Sequence, residues 1–197
     1  QVRRELGRTY PLVIGGQHIT SEETFASLNP AQPDQVVGYF ARATIEQTNQ
    51  AVQAAAEAFE TWRRVPAPER AEYLFKAADL LRERRFNMNA WMIYEVGKSW
   101  VEADADTAEA IDFMEFYAHE MMRLAGEQPI TKLAGEDNQL VYVPLGVGAV
   151  IPPWNFPCAI MVGMTSASFV AGNTVVLKPA STAPAIAAQF IHILEEI

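Results

Sequence analysis

From Asn138 to Leu177 the chain carries no charged side chain, and Lys178 closes the run. Within it the apolar pattern predicts a strand over 147–152, a break at Pro153-Trp154-Asn155-Phe156-Pro157, and a buried helix over 158–171. Gly172 stands where a left-handed helix-ending residue belongs, and a second strand over 174–177 ends at Lys178-Pro179. Strand–helix–strand with both strands apolar throughout is the pattern of a parallel sheet covered on both faces. Ligands bind such sheets at the carboxyl ends of the strands, and each turn there holds one conspicuous polar residue, Asn155 or Lys178. An uncharged run of this length also fits a membrane span. Against that reading, Pro144, Pro152, Pro153 and Pro157 free backbone groups that a lone helix in lipid could not satisfy.

The preceding chain alternates between the two apolar periods. Tyr10, Leu12 and Ile14 predict a strand that turns at Gly15-Gly16 and returns over 17–20. Turns are expected at Asn29-Pro30 and Gln32-Pro33-Asp34, then a short strand over 36–41. Thr44 with Gln47 forms a capping-box pattern ahead of a helix whose apolar stripe is Val52, Ala55, Ala56, Phe59 and Trp62. Beyond Pro66 and Pro68, the positions Ala71, Leu74, Phe75, Ala78 and Leu81 repeat that spacing, and Arg82-Glu83-Arg84-Arg85 reads as a solvated face. A long helix over 101–125 follows, with Ile111, Met114, Ala118 and Met121 as its core positions. The acids Glu102, Asp104, Asp106 and Glu109 near its start are read as solvated, because no His or Cys accompanies them. The stretch 126–139 is loop-like, 140–143 is expected to be an edge strand, and a last helix starts at Pro184.

Composition narrows the class. The chain has 197 residues, half of them hydrophobic, and a net charge of −9 without a basic block. That balance argues against nucleic acid or an anionic membrane as partner. A single cysteine, with no apolar leader-like start, fits a reducing compartment, and the cytoplasm is the expectation. His18, His119 and His192 lack metal or triad spacing, so no metal site is expected. A parallel sheet that starts at Val147 holds at most two strands, too few to close a doubly wound core, so the chain reads as the front part of something longer.

Two motifs, Pro153-Trp154-Asn155-Phe156-Pro157 and Gly172-Asn173-Thr174-Val175-Val176-Leu177-Lys178-Pro179-Ala180-Ser181, together resemble the aldehyde dehydrogenase superfamily. Tyr10-Pro11-Leu12-Val13-Ile14-Gly15-Gly16, Glu95-Val96-Gly97-Lys98-Ser99-Trp100 and Glu109-Ala110-Ile111-Asp112-Phe113 resemble one branch, the pyrroline-5-carboxylate (glutamate-semialdehyde) dehydrogenases of proline breakdown. The resemblance covers essentially the whole chain. It implies an α/β, aldehyde-dehydrogenase-like fold: an incomplete Rossmann-type parallel sheet with N-terminal helices and an antiparallel arm. Residues 1–125 would be the N-terminal part of the NAD(P)-binding domain, 126–146 the start of an oligomerisation arm, and 147–197 the first βαβα of the Rossmann-like unit. The catalytic domain would lie outside the chain.

The resemblance also implies roles. A cysteine thiolate attacks the aldehyde, a donor holds the oxyanion, hydride passes to a nicotinamide, and a carboxylate-activated water releases the acid. Asn155 matches the oxyanion donor; on residues alone it serves equally well as a cap for the helix that follows. Ile151, Pro152 and Trp154 would line the nicotinamide half of the cleft, and Lys178, Ala180 and Ser181 the adenosine ribose. An acid at Ser181 would repel a 2′-phosphate, whereas the neutral Ser leaves room for either cofactor, so NAD is expected and NADP is possible. Phe156 would wall the aldehyde tunnel. Glu95 would lie near the substrate's amino end or, alternatively, form a helix-end salt bridge. Cys158 reads as a core thiol and not the nucleophile, which the family carries further downstream.

The expected activity is therefore NAD(P)-dependent oxidation of L-glutamate γ-semialdehyde to glutamate, by a homo-oligomer acting on a small aldehyde, with this segment inactive alone. Succinate semialdehyde or a general aldehyde is the alternative substrate. A non-catalytic nucleotide-binding or assembly module is the alternative class.

Overall fold

A computed structural model describes all 197 residues. The strands are β1 (Arg8–Tyr10), β2 (Leu12–Ile14), β3 (Gln17–Ile19), β4 (Thr24–Asn29), β5 (Gln32–Ala41), β6 (Val147–Val150) and β7 (Thr174–Leu177). The helices are α1 (Ile45–Trp62), α2 (Ala67–Glu83), α3 (Arg85–Val96), α4 (Trp100–Ala125), α5 (Ala159–Val170) and α6 (Pro184–Glu195). They form three small sheets, β1-β5-β4, β2-β3 and β6-β7, around a helical core.

Both capping boxes have a direct physical origin. Thr44 Oγ1 accepts the Gln47 amide while Gln47 Oε1 accepts the Thr44 amide, and Ser99 with Glu102 does the same ahead of α4. Between α3 and α4, Gly97 takes φ +69 and its amide reaches Ile93 O at 3.2 Å, ending one helix two residues before the next is capped. The core lies where α2, α3, α4, α5 and α6 meet, around Leu74, Leu81, Trp91, Met92, Met114 and Phe190. A Cβ at Gly163 would lie 2.9 Å from Phe113 Cδ2, so glycine is what lets α5 approach α4 this closely.

The parallel pair β6-β7 forms with Val147 opposite Thr174 and Val150 opposite Leu177, joined through α5. Helices α1 and α5 pack against it. Thr174 Oγ1 donates to Ala55 O, tying β7 to α1, while Trp62 Nε1 donates to Phe169 O and the buried Arg70 donates through Nε to Val170 O, tying α1 and α2 to the end of α5.

Several expectations need correction. Gln32-Pro33-Asp34 is not a turn but the start of β5, which pairs antiparallel with the unforeseen β4. The turn is confined to Pro30-Ala31, where Asn29 Oδ1 accepts the Ala31 amide. Pro33 is tolerated because β1 pairs only with Gly38 to Phe40 and the β4 register skips from Gln32 to Val36 at an irregularity, so no ladder partner calls on its missing N–H. On α1, Val52 and Ala56 are exposed, and the packed face runs through Ala55, Phe59 and Trp62. The helical run 67–96 is broken at Arg84, which separates α2 from α3. The basic run there is not merely solvated: Arg84 binds Glu196 and Arg85 binds Asp104, each through two contacts. Residues 140–143 form no strand, since this chain offers them no ladder partner, and all four are exposed. Nor is the β6-β7 sheet covered on both faces, because Val147 and Ala149 remain open.

Candidate active-site cleft

The carboxyl ends of β6 and β7 lie side by side. The Lys178 amide donates to Val150 O at 2.9 Å, so the turn after β7 starts beside the turn after β6. The first turn holds Ile151, Trp154, Asn155 and Phe156 exposed, with Pro152 and Pro157 buried beneath them as its footing. The second presents Lys178 and Ser181 to solvent and half-buries Ala180. The structure thus brings together, along one edge, Ile151, Pro152, Trp154, Asn155, Phe156, Lys178, Ala180 and Ser181, the residues that sequence reasoning assigned to aldehyde and cofactor, Glu95 excepted.

Asn155 is free for such work. Helix α5 begins at Ala159 with Cys158 at its cap position, so Asn155 lies outside the helix and the cap alternative fails. Its side-chain amide makes no hydrogen bond within the chain and is exposed, leaving two N–H donors available. Cys158, by contrast, is 0% exposed, and burial followed by the nearby Asp106 charge pushes its thiol well above the ordinary range. A thiol kept protonated and sealed is not a nucleophile.

What replaces the missing cap comes from α4. Asp106 Oδ1 accepts the Ala159 amide at 2.6 Å. Its other oxygen lies 2.7 Å from Lys98 Nζ, and the Lys98 ammonium sits 4.3 Å from the centre of the Phe156 ring. The acids of α4 are therefore not uniformly solvated, as the sequence reading had them: Asp104 is bound by Arg85, and Asp106 is fully buried. A signal existed, because Asp106 falls on the stripe of Ala103, Ala110 and Met114 that packs inward.

Glu95 does not join this edge. It is 4% exposed, accepts from Ser27 Oγ at 2.8 Å, and takes the Ala185 and Ile186 amides at 2.8 and 3.0 Å. It caps α6, whose own cap residue Ala183 supplies no side-chain bond. No cation pairs with it, so the salt-bridge alternative fails, and burial with three hydrogen-bond donors keeps its carboxylate away from the exposed edge. Burial raises its pKa from 4.5 to about 7, against the lowering effect of the three donors. Because the folded value lies above the ordinary one, the associated stability is fully present below about pH 4.5 and is lost as pH rises through 7. A displacement of that size corresponds to about 3 kcal/mol. Comparing wild type with Glu95→Gln in denaturant at several pH values should show this slope in the difference between them. Parallel curves would contradict it.

The sequence of the whole chain agrees with this geometry. Residues 18–197 match the model of the aldehyde dehydrogenase family. The chain belongs to the aldehyde dehydrogenase family. It is 52% identical to a 1-pyrroline-5-carboxylate dehydrogenase of Geobacillus kaustophilus, covering 100% of this chain and 38% of that protein. It is 54% identical to 1-pyrroline-5-carboxylate dehydrogenase 2 of Bacillus subtilis, over 99% of this chain and 38% of the relative. A Thermus 1-pyrroline-5-carboxylate dehydrogenase solved with bound NAD superposes with a TM-score of 0.95 at 47% identity, again covering 99% of this chain and 38% of that one. The chain thus spans 38% of the length of these aldehyde dehydrogenases.

The residues present fit a dinucleotide. Lys178 offers an exposed ammonium and Ser181 a hydroxyl beyond β7, while Ile151 and Trp154 offer open apolar surface beyond β6. Polar groups for a ribose and an apolar wall for a flat ring are what such a ligand needs.

Proposed function

We propose that the protein is an NAD-dependent dehydrogenase that oxidises L-glutamate γ-semialdehyde, the open form of 1-pyrroline-5-carboxylate, to glutamate in proline degradation. The observation that carries this reading is the exposed, unpartnered Asn155 amide on the same sheet edge as Lys178. Likeness along the whole chain to 1-pyrroline-5-carboxylate dehydrogenases supports the choice of aldehyde.

Asn155 donates to the oxygen of the aldehyde as negative charge grows there, and its lack of other partners means no bond is broken to do so. Phe156 walls the aldehyde side, and Ile151 and Trp154 exclude water beside it. Lys178 and Ser181 hold the ribose, with the uncharged Ser181 imposing no penalty on a 2′-phosphate. Bound NAD supplies the hydride acceptor. The nucleophile belongs to the rest of the protein, since Cys158 is the only thiol of this chain and is sealed. Residues 1–125 and 147–197 belong to the cofactor domain. Residues 126–146, with Leu140, Val141, Tyr142 and Val143 exposed, are the arm through which copies pair.

The test is a steady-state comparison in the complete protein. NADH should form from glutamate semialdehyde with a higher kcat/KM than from succinate semialdehyde. The reverse order would move the substrate assignment to the succinate compound. Lys178→Ala should raise the KM for NAD by roughly tenfold, the value of one charged hydrogen bond, with a smaller effect on kcat. An unchanged KM for NAD would remove Lys178 from the ribose.

A further inference from the structure

We propose that Lys98 and Asp106 act together as positioning residues for the Asn155-Phe156 turn. The inference rests on the reading of Asn155 and Phe156 given above. The tip of the turn is open, since Trp154, Asn155 and Phe156 are exposed and Asn155 makes no side-chain bond. Beyond the buried Pro152 and Pro157 and the Ile160 amide that donates to Phe156 O, two further fixed points are supplied by the α3–α4 region. Behind the ring of Phe156, the Lys98 ammonium lies 4.3 Å from the centroid, within cation–π range. Directly after the turn, Asp106 Oδ1 accepts the first amide of α5, at Ala159. The 2.7 Å ion pair between Lys98 and Asp106 joins these two points into one unit.

The unit is rigid at its base. Lys98 stands between Gly97, the left-handed end of α3, and Ser99, the cap of α4, so its backbone is fixed on both sides. Its side chain is 11% exposed and that of Asp106 0%, so neither has a solvated alternative position nearby. Moving Lys98 would release the Phe156 ring, and moving Asp106 would release the start of α5. Either motion displaces Asn155, which lies between Phe156 and the β6 end. A displacement near 1 Å at a reacting centre costs roughly 10²-fold in rate.

The experiment uses the complete protein with Lys98→Met, Lys98→Arg and Asp106→Asn, each alone and with Asn155→Ala. Lys98→Met keeps the aliphatic stem and removes the charge. It should lower kcat by roughly 10²-fold while leaving the KM for NAD unchanged. Lys98→Arg should recover most of the loss, because a guanidinium also pairs with a carboxylate and rests on a ring. In the Asn155→Ala background Lys98→Met should cost far less than in the wild type, since its main effect runs through Asn155. Losses that multiply, or a kcat that does not move, would overturn the proposal. Hydrogen exchange of the peptide spanning 154–162 gives a second readout that needs no turnover, and it should quicken in Lys98→Met and Asp106→Asn. Unchanged exchange overturns the clamp. Absence of any dehydrogenase activity in wild type with quickened exchange in the variants would instead overturn the proposed function and leave the clamp standing.

Discussion

Asn155→Ala lowers kcat for aldehyde oxidation by roughly 10²–10³-fold, the usual effect of deleting one oxyanion donor. The KM for NAD stays near the wild-type value, because the substitution leaves Ile151 and Trp154 in place and the ribose-holding Lys178 lies on a separate turn. Folding is untouched, since the Asn155 side chain bonds to nothing in the chain and is exposed. This combination of intact stability and lost turnover separates a catalytic donor from a structural asparagine. Steady-state kinetics beside a denaturant curve measures both. A variant that retains turnover would remove Asn155 from the reaction, and one that unfolds would make it structural.

Asp106→Ala destabilises the protein by about 3–5 kcal/mol, the cost of leaving a buried charge without its partner. The change strips the counter-charge from a Lys98 that is 11% exposed and removes the acceptor of the Ala159 amide. Asp106→Asn costs less, because an amide oxygen still serves Ala159. The telling comparison is the double variant Lys98→Met/Asp106→Ala, which should be more stable than Asp106→Ala alone, since it leaves no orphan ammonium. Urea midpoints at a fixed pH, with unchanged m-values, give these differences. If Asp106→Ala unfolds at the wild-type midpoint, the pair contributes nothing to stability, which contradicts a buried ion pair.

The sequence announced the cleft more clearly than its support. Asn155 and Lys178 stood out because each is the conspicuous polar residue of its turn in apolar surroundings, and the β6-α5-β7 unit follows from local periodicity and from Gly172, which takes φ +91. The helix starts at Thr44 and Ser99 needed only the neighbouring residues. What stayed hidden depends on contacts far apart in the chain. Glu95 looked like a site carboxylate, yet it spends both oxygens on α6, 90 residues on. Asp106 looked like one of several solvated acids, and only the packing of α5 over α4 makes it a cap. β4 escaped notice because its burial alternates with polar Ser27 and Asn29 as the buried positions, which inverts the usual apolar signal. The stretch 140–143 reads as a strand by composition but needs a ladder partner that this chain lacks.

The most direct measurement is the appearance of NADH when the complete protein meets L-glutamate γ-semialdehyde and NAD, run beside its Asn155→Ala variant under identical conditions. The account predicts rapid NADH formation by the wild type and a loss of roughly 10²–10³-fold in the variant. Equal rates in the two, or no NADH from the wild type with any aldehyde, would contradict it.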